Sequence, residues 1–211
     1  TSNLFLEKTL ESTYGLDLQY SSYNSDRKKN KTSIPLNVYD AFEYKQSLYS
    51  QHSLKINKKF DIGSGLRIQR NYISIKDKLN SNAPNYNSYS SEHDKYSSQK
   101  IDYAFNIGID YSLNNKTKVF SRIANGYRFP NIDDRIGGSG STSLDLKTQK
   151  TIDYEIGTNY KNKKFELNIS SYILNSDNEI AYDADNYVNY NLSTTQRFGL
   201  ELFIKNALKD N

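Results

Sequence analysis

From Ile101 onward the apolar residues fall on every second position. Ile101, Tyr103, Phe105, Ile107, Ile109 and Tyr111 alternate with Asp102, Ala104, Asn106, Gly108, Asp110 and Ser112. A helix turning 100° per residue would scatter those six apolar side chains around its axis, whereas a strand puts all of them on one face. The same split recurs in Ile152, Tyr154, Ile156 and Tyr160 against Asp153, Glu155, Gly157 and Asn159. It returns in Phe165, Leu167 and Ile169 against Glu166, Asn168 and Ser170, and in Phe198, Leu200, Leu202 and Ile204 against Arg197, Gly199, Glu201 and Lys205. Near the start, Tyr14, Leu16, Leu18 and Tyr20 oppose Gly15, Asp17 and Gln19. No segment shows a helical period. The pattern predicts nine strands, near residues 3–10, 14–23, 46–57, 60–78, 99–113, 117–129, 148–160, 164–176 and 187–205.

The connections alternate in length. Glu11-Ser12-Thr13, Lys58-Lys59, Asn114-Asn115-Lys116 and Lys161-Asn162-Lys163 read as tight polar turns. Between the hairpins lie long polar stretches, about Asn24 to Tyr44, Leu79 to Ser98, Asn131 to Lys147 and Asp177 to Asn186. Loops of this length are uncommon in compact domains and tend to be functional. Short turns at one end and long loops at the other fit an up-and-down antiparallel outer-membrane barrel. A soluble β-sandwich or lipocalin-like barrel alternates too, because one face of its sheet packs on a core. Strand length favours the membrane barrel. Phe60 to Lys78 would run roughly 60 Å at 3.3 Å per residue, whereas globular strands usually stop near ten residues.

Composition narrows the choice further. No apolar run approaches the ~20 residues of a membrane helix, and 13% aromatic residues, with 19 Tyr, argue against disorder. The net charge of +4 is spread among interspersed signs apart from Arg27-Lys28-Lys29-Asn30-Lys31, so no nucleic-acid stripe is present. With no Cys there is no disulfide framework, thiolate metal site or Cys nucleophile. The chain opens Thr1-Ser2-Asn3 with no signal segment and stops at Leu208-Lys209-Asp210-Asn211. Both ends read as interior to a longer chain.

Four segments, in order, resemble the barrel domain of TonB-dependent outer-membrane receptors. Gln51-His52-Ser53-Leu54-Lys55, followed by Asp61 to Arg67 with Gly65-Leu66-Arg67, is similar to that family's strand–turn–strand signature. Ala124-Asn125-Gly126-Tyr127-Arg128-Phe129-Pro130-Asn131 resembles its G-[FY]-R-x-P strand end. Leu146 to Gly157, with Tyr154, Glu155 and Gly157, resembles L-x-P-E-x-x-x-x-Y-E-x-G, with Lys147-Thr148-Gln149 in place of the Pro-Glu portion. Tyr187-Val188-Asn189-Tyr190 and Phe198-Gly199-Leu200-Glu201-Leu202 resemble Y-x-N…G-x-E-L. The resemblance implies a partial domain over residues 1–211, a portion of a 22-stranded barrel, with no counterpart of the plug, the TonB-contacting box or the closing strands.

What the family does follows as expectation. The resemblance implies a non-enzymatic transporter in the outer membrane of a Gram-negative bacterium, needing no cofactor of its own. Its substrate is a small metal complex, most commonly a ferric siderophore, with cobalamin, haem and carbohydrate as alternatives. Uptake is driven by TonB through the plug. A passive porin and a soluble all-β binding domain are the competing readings. Membrane lipid and lipopolysaccharide are expected partners; residues 27–31 read first as a solvated loop, with contact to lipopolysaccharide phosphates or an anionic ligand as the functional alternative.

Candidate chemistry is sparse. His52 lies in a strand beside Leu54 and Ile56, and His93 in a polar loop. The glycines after Ile136 lack phosphate-loop spacing, and Asp183-Ala184-Asp185-Asn186, near Asp177 and Glu179, fails the Ca²⁺-loop pattern at its fifth and sixth positions. The loop beyond Pro130 is the expected ligand site. Asp133, Asp134 and Arg135 follow there, and the planar fork of Arg135 suits carboxylate or catecholate oxygens. A surface pairing of Arg135 with Asp133 or Asp134 is the competing reading. Tyr86, Tyr89 and His93 are the next ligand-binding candidates; Tyr86, Tyr89 and Tyr96 read first as interfacial or loop packing, with stacking on an aromatic ligand as the alternative.

Overall fold

A computed structural model describes residues 8–28, 30–35, 37–79, 82, 95–136 and 143–206. Eight strands pair as an antiparallel meander. They are β1 (Thr9–Arg27), β2 (Asn37–Asn57), β3 (Phe60–Leu79), β4 (Tyr96–Ser112), β5 (Thr117–Arg128), β6 (Gln149–Lys161), β7 (Phe165–Asp177) and β10 (Thr195–Asn206). A separate two-stranded ribbon, β8 (Ile180–Asp183) and β9 (Val188–Asn191), and one helical turn, α1 (Ile132–Arg135), lie in the connections. The sheet is open, with β1 and β10 at its edges.

Register aligns the alternation of every strand. Leu16 stands opposite Leu48, Leu48 opposite Ile68, and Ile68 opposite Tyr103. Farther along, Ile123 faces Tyr154, Tyr154 faces Ile173, and Ile173 faces Phe198. Because side chains alternate across a strand, these pairs form one continuous apolar face. That face is bare: Ile101, Ile156, Leu200 and Phe198 are all exposed, Phe198 to 81%. Tyr20, Phe42 and Tyr72 adjoin one another on it near the long connections. Phe60 and Tyr111, and Tyr160 and Phe165, pair on it near the tight turns. His52 also lies on this face, bonded to Ser12 and edge-on to Tyr14.

Each tight turn is closed by an asparagine. Asn57, Asn114 and Asn162 accept from backbone N–H groups two or three residues ahead, the side-chain mimicry of a turn that makes Asn frequent there. The expected turn at Glu11-Ser12-Thr13 is absent. These residues continue β1 opposite Ser53, His52 and Gln51. They hold no Gly, Pro, Asn or Asp to reverse the chain, and Leu10, Ser12 and Tyr14 keep the alternation in step. Of the expected strand at 3–10, residues 1–7 lie outside the described residues. The stretch from Asn24 to Tyr44 is shorter as a loop than its polarity predicts, because pairing persists to Arg27↔Asn37. The expected strand at 187–205 is broken into β9 and β10. The stretch 177–186, expected to be loop, carries β8.

Candidate functional site

The long-connection end begins with a switch of parity. Up to Tyr72 the even residues of β3 are the apolar ones; beyond it Ile73 and Ile75 are. They face the otherwise polar side of the sheet and join Tyr39 and Ala41 of β2 in a buried cluster. Ile132 and Ile136 close that cluster from above, with Tyr23, Tyr96 and Leu144 packed against it. An apolar plate thus sits on top of a polar wall.

Below the plate the wall is a network of charge. Lys45 lies 2.8 Å from Glu43, which also accepts from Asn71 at 3.0 Å. Arg67 pairs with Asp17 at 2.8 Å, donates to Ser47 and lies over the Tyr49 ring. Small residues make room for the large ones. A Cβ on Gly157 would come within 2.5 Å of the Phe120 ring and 2.6 Å of the Ile169 carbonyl. One on Gly199 would strike Tyr172, and one on Gly65 would strike Asn106.

The wall splits between β4 and β5. Their ladder ends at Phe105↔Asn125, although β4 continues along β3 to Tyr96 and β5 along β6 to Arg128. Asn125 seals the fork: its Oδ1 accepts from the Phe105 N–H at 2.6 Å and its Nδ2 donates to the Tyr103 carbonyl at 3.1 Å. The amide side chain thereby replaces the backbone partner that β5 withdraws. Asn125→Ala is expected to cost about 1–2 kcal/mol and to speed hydrogen exchange at the Phe105 amide. Unchanged exchange there would remove Asn125 from this role. Beyond the fork the strand ends lean over the polar face, where Tyr127 donates to Gln69 at 3.0 Å and Lys150 meets Asp102 at 2.5 Å. A cavity of about 410 Å³ opens beside them, lined by Lys100, Asp102, Lys147, Lys150 and Asn178 among others.

The G-x-R-x-P segment ends in a clasp. Pro130 is buried, and Asn131 caps α1 reciprocally: Asp134 N–H donates to Asn131 Oδ1, and Asn131 N–H donates to Asp134 Oδ2. Arg128 binds both oxygens of Asp134 at 2.8 and 2.9 Å. Asn189 of β9 donates to the Asp134 carbonyl at 2.8 Å, and Asn191 bonds both ways with the backbone of Lys147. The Asn-x-x-Asp spacing at 131–134 is a capping-box pattern that announces this turn in the sequence, although no helical period is present there.

Arg135 corrects the expectation placed on it. It is 2% exposed. Its Nη1 donates to the Leu144 carbonyl and its Nη2 to the Leu146 carbonyl, with the guanidinium over the Tyr96 ring. Burial lowers its pKa, opposed by the electrostatic influence of Tyr96 and of the acids Asp134, Glu43 and Asp145. It is neither a surface partner of Asp133 or Asp134 nor turned to a ligand; it ties the 143–148 segment to α1. The reason is the apolar plate, which folds α1 inward and takes the arginine with it. Asp133 remains exposed. Tyr86, Tyr89 and His93 lie outside the described residues. Leu66 and Tyr154 stand on the bare apolar face, Glu155 lies 3.8 Å from Arg122, and Glu201 is exposed opposite Ser170.

The acidic connection after β7 is occupied by its own contacts. Asp183 accepts from Asp185 and Asn186, and Asp177 from Thr194. Among the described residues no group of three or more His, Cys, Asp or Glu is placed to hold a metal ion. Glu179 accepts from Arg197 at 2.8 Å and from Thr195 at 3.0 Å, and these bonds hold its pKa below the ordinary 4.5. A lowered folded pKa adds stability above the ordinary value that is lost as pH falls through the folded one. The protection of β8 amides, measured against their intrinsic exchange rate at each pH, is therefore expected to fall as pH drops below about 4.5, and Glu179→Gln to flatten that dependence. A response to acid as steep in Glu179→Gln as in the parent would assign it to another group.

Comparisons with known proteins agree with this architecture. A family model described as TonB-dependent receptor-like, β-barrel, matches residues 1–209. A search of curated proteins finds no significant match. Among solved structures, the ferric yersiniabactin uptake receptor FyuA from Yersinia pestis is similar over 93% of this chain and 29% of its own, at 22% identity and a TM-score of 0.67. The ferric-catecholate import receptor Fiu from Escherichia coli K12, in its closed form, is similar over 96% and 33%, at 14% identity and a TM-score of 0.70. The copper transporter OprC is similar over 96% and 33%, at 17% identity and a TM-score of 0.70. The chain thus spans about a third of the length of these proteins.

Proposed function

Because the chain belongs to the TonB-dependent receptor β-barrel family, we propose that it contributes part of the wall of an outer-membrane transporter that takes up a scarce nutrient, with a ferric siderophore as the substrate. The supporting observation is the meander itself, apolar and bare on one face, polar and ion-paired on the other, matched to the family model over nearly its whole length. In this reading the apolar face meets lipid and the polar face lines the lumen. The aromatic rows support it. Phe60 and Tyr72 are twelve residues apart on β3, about 40 Å along the strand and roughly 30 Å along the membrane normal at a ~40° tilt. That is the thickness of a bilayer's hydrocarbon core.

Ligand is captured at the long-connection end, where the strands outrun the membrane. With Arg135 committed to the fold, the exposed Asp133 and the cavity bordered by Lys100, Lys147 and Lys150 take its place, with Tyr86, Tyr89 and His93 as further candidates. The chain performs no bond chemistry in this scheme; it binds and orients, and TonB drives release through a plug. The test is uptake. The complete receptor, expressed in a strain stripped of its own ferric-siderophore receptors, should restore accumulation of radiolabelled iron supplied as catecholate, carboxylate or mixed-ligand siderophores. Deletion of tonB should abolish it. Accumulation that survives that deletion would mean a passive pore, and uptake of copper, haem or cobalamin with no ferric siderophore transported would replace the substrate.

A further inference from the structure

One residue breaks the bare apolar face. Along the described positions of that face on β1 to β4 between the two aromatic rows, Leu10 to Tyr20, Tyr44 to Ile56, Ile62 to Arg70 and Ile101 to Tyr111, Arg70 is the only Lys, Arg, Asp or Glu; Lys150, at the same parity on β6, turns away to Asp102. It faces Gln46 on β2 and Ile101 on β4, one step below Tyr72 and Tyr44. Its Nη2 donates to Gln99 Oε1 at 2.6 Å and its Nη1 to Gln46 Oε1 at 3.4 Å, while Gln46 Nε2 donates to the Tyr44 hydroxyl. Two neutral amides therefore hold the guanidinium in place, and no carboxylate among the described residues neutralises it. The remaining N–H groups of its fork are free to serve an outside acceptor.

We infer that Arg70 is a docking point for a phosphate group of outer-leaflet lipopolysaccharide. The inference rests on the reading of the apolar face as lipid-facing. Ten residues above Phe60, Arg70 stands roughly 25 Å up the membrane normal, at the upper edge of the apolar band. An arginine at the membrane midplane is strongly destabilising, but near the interface the penalty falls towards zero. There the planar fork of arginine can grip phosphate through two parallel charge-assisted bonds. The flanking glutamines and tyrosines fix its direction without competing for its charge. An anionic headgroup supplies the compensation that the protein withholds.

The complete receptor tests this. Purified from outer membranes in mild detergent, it should retain lipopolysaccharide, measured as hydroxylated fatty acid per receptor, and Arg70→Gln should retain about ten-fold less. Arg70→Lys should fall between, as a point charge without the fork. Lipopolysaccharide added to delipidated receptor should raise its unfolding temperature, and the enzymatically dephosphorylated form should not. Equal retention by Arg70→Gln would overturn the inference. So would equal protection by dephosphorylated lipopolysaccharide or by phosphatidylglycerol vesicles. Siderophore uptake and outer-membrane fractionation separate the two levels. If the parent receptor does both and Arg70→Gln still binds lipopolysaccharide normally, only the docking site is lost. If the parent does neither, the transporter reading falls with it.

Discussion

Replacing Ile156 by arginine is expected to destabilise the folded barrel in a bilayer by about 2–4 kcal/mol. Ile156 is 62% exposed, in a row with Ser121, Ser171 and Leu200, inside the apolar band and four residues from Tyr160. Its side chain has almost no protein to pack against, so in water alone the change would be nearly neutral. The cost arises from lipid, where the guanidinium must shed its hydration or distort the membrane to keep it. Reversible unfolding of the complete receptor in lipid vesicles measures it. Glu155→Gln is the control, one residue along and on the opposite face. It weakens only the loose 3.8 Å pair with Arg122, worth at most about 1 kcal/mol in so open a setting. Equal costs for the two variants would reverse the assignment of faces or remove the membrane.

Arg135→Ala should release the long-connection end. The buried guanidinium is the donor to the carbonyls of Leu144 and Leu146, and hydrogen bonds from a charged group contribute about 1.5–3 kcal/mol each. Its removal leaves those acceptors unpaired beside the apolar plate, a local loss on the order of 3 kcal/mol. The strand ladders do not depend on it, so the barrel should still fold and keep its resistance to detergent at room temperature. Hydrogen exchange in residues 143–148 should accelerate by roughly two orders of magnitude, the kinetic equivalent of that energy at 1.4 kcal/mol per decade. Protection equal to the parent's would show that the Arg128–Asp134 pair and the Asn189 and Asn191 contacts hold the segment without it. A restored clasp in Arg135→Lys would indicate that charge alone suffices; the fork bridging two carbonyls predicts that it does not.

The sequence alone determined most of the strands, which side chains share a face, and three of the tight turns. A period of two is a local property of the backbone, and a one-residue slip would bury every polar residue and bare none of the right ones. The alternation therefore fixed which face Leu48, Ile68 and Tyr154 share, while their exact partners came from the structure. Asn57, Asn114 and Asn162 marked the turns for the same local reason. The family motifs could also be read directly, because Gly65, Gly157 and Gly199 sit where a side chain opposite needs the space. What the tertiary structure decided lies where long-range packing outranks local pattern. The parity switch at Tyr72–Ile73 acquires its meaning only when Ile132 and Ile136 arrive from sixty residues away to cover it. That folding-over turns Arg135 from an exposed loop arginine into a buried clasp, and it makes Asn189, one residue of a weak motif, the tie to Asp134. Glu11-Ser12-Thr13 has the polarity of a turn but no residue that reverses the chain, and it continues β1 opposite β2. The charge of Arg70 was plain in the sequence. That it stands alone on the apolar face of β1 to β4 emerged when register set their apolar rows side by side.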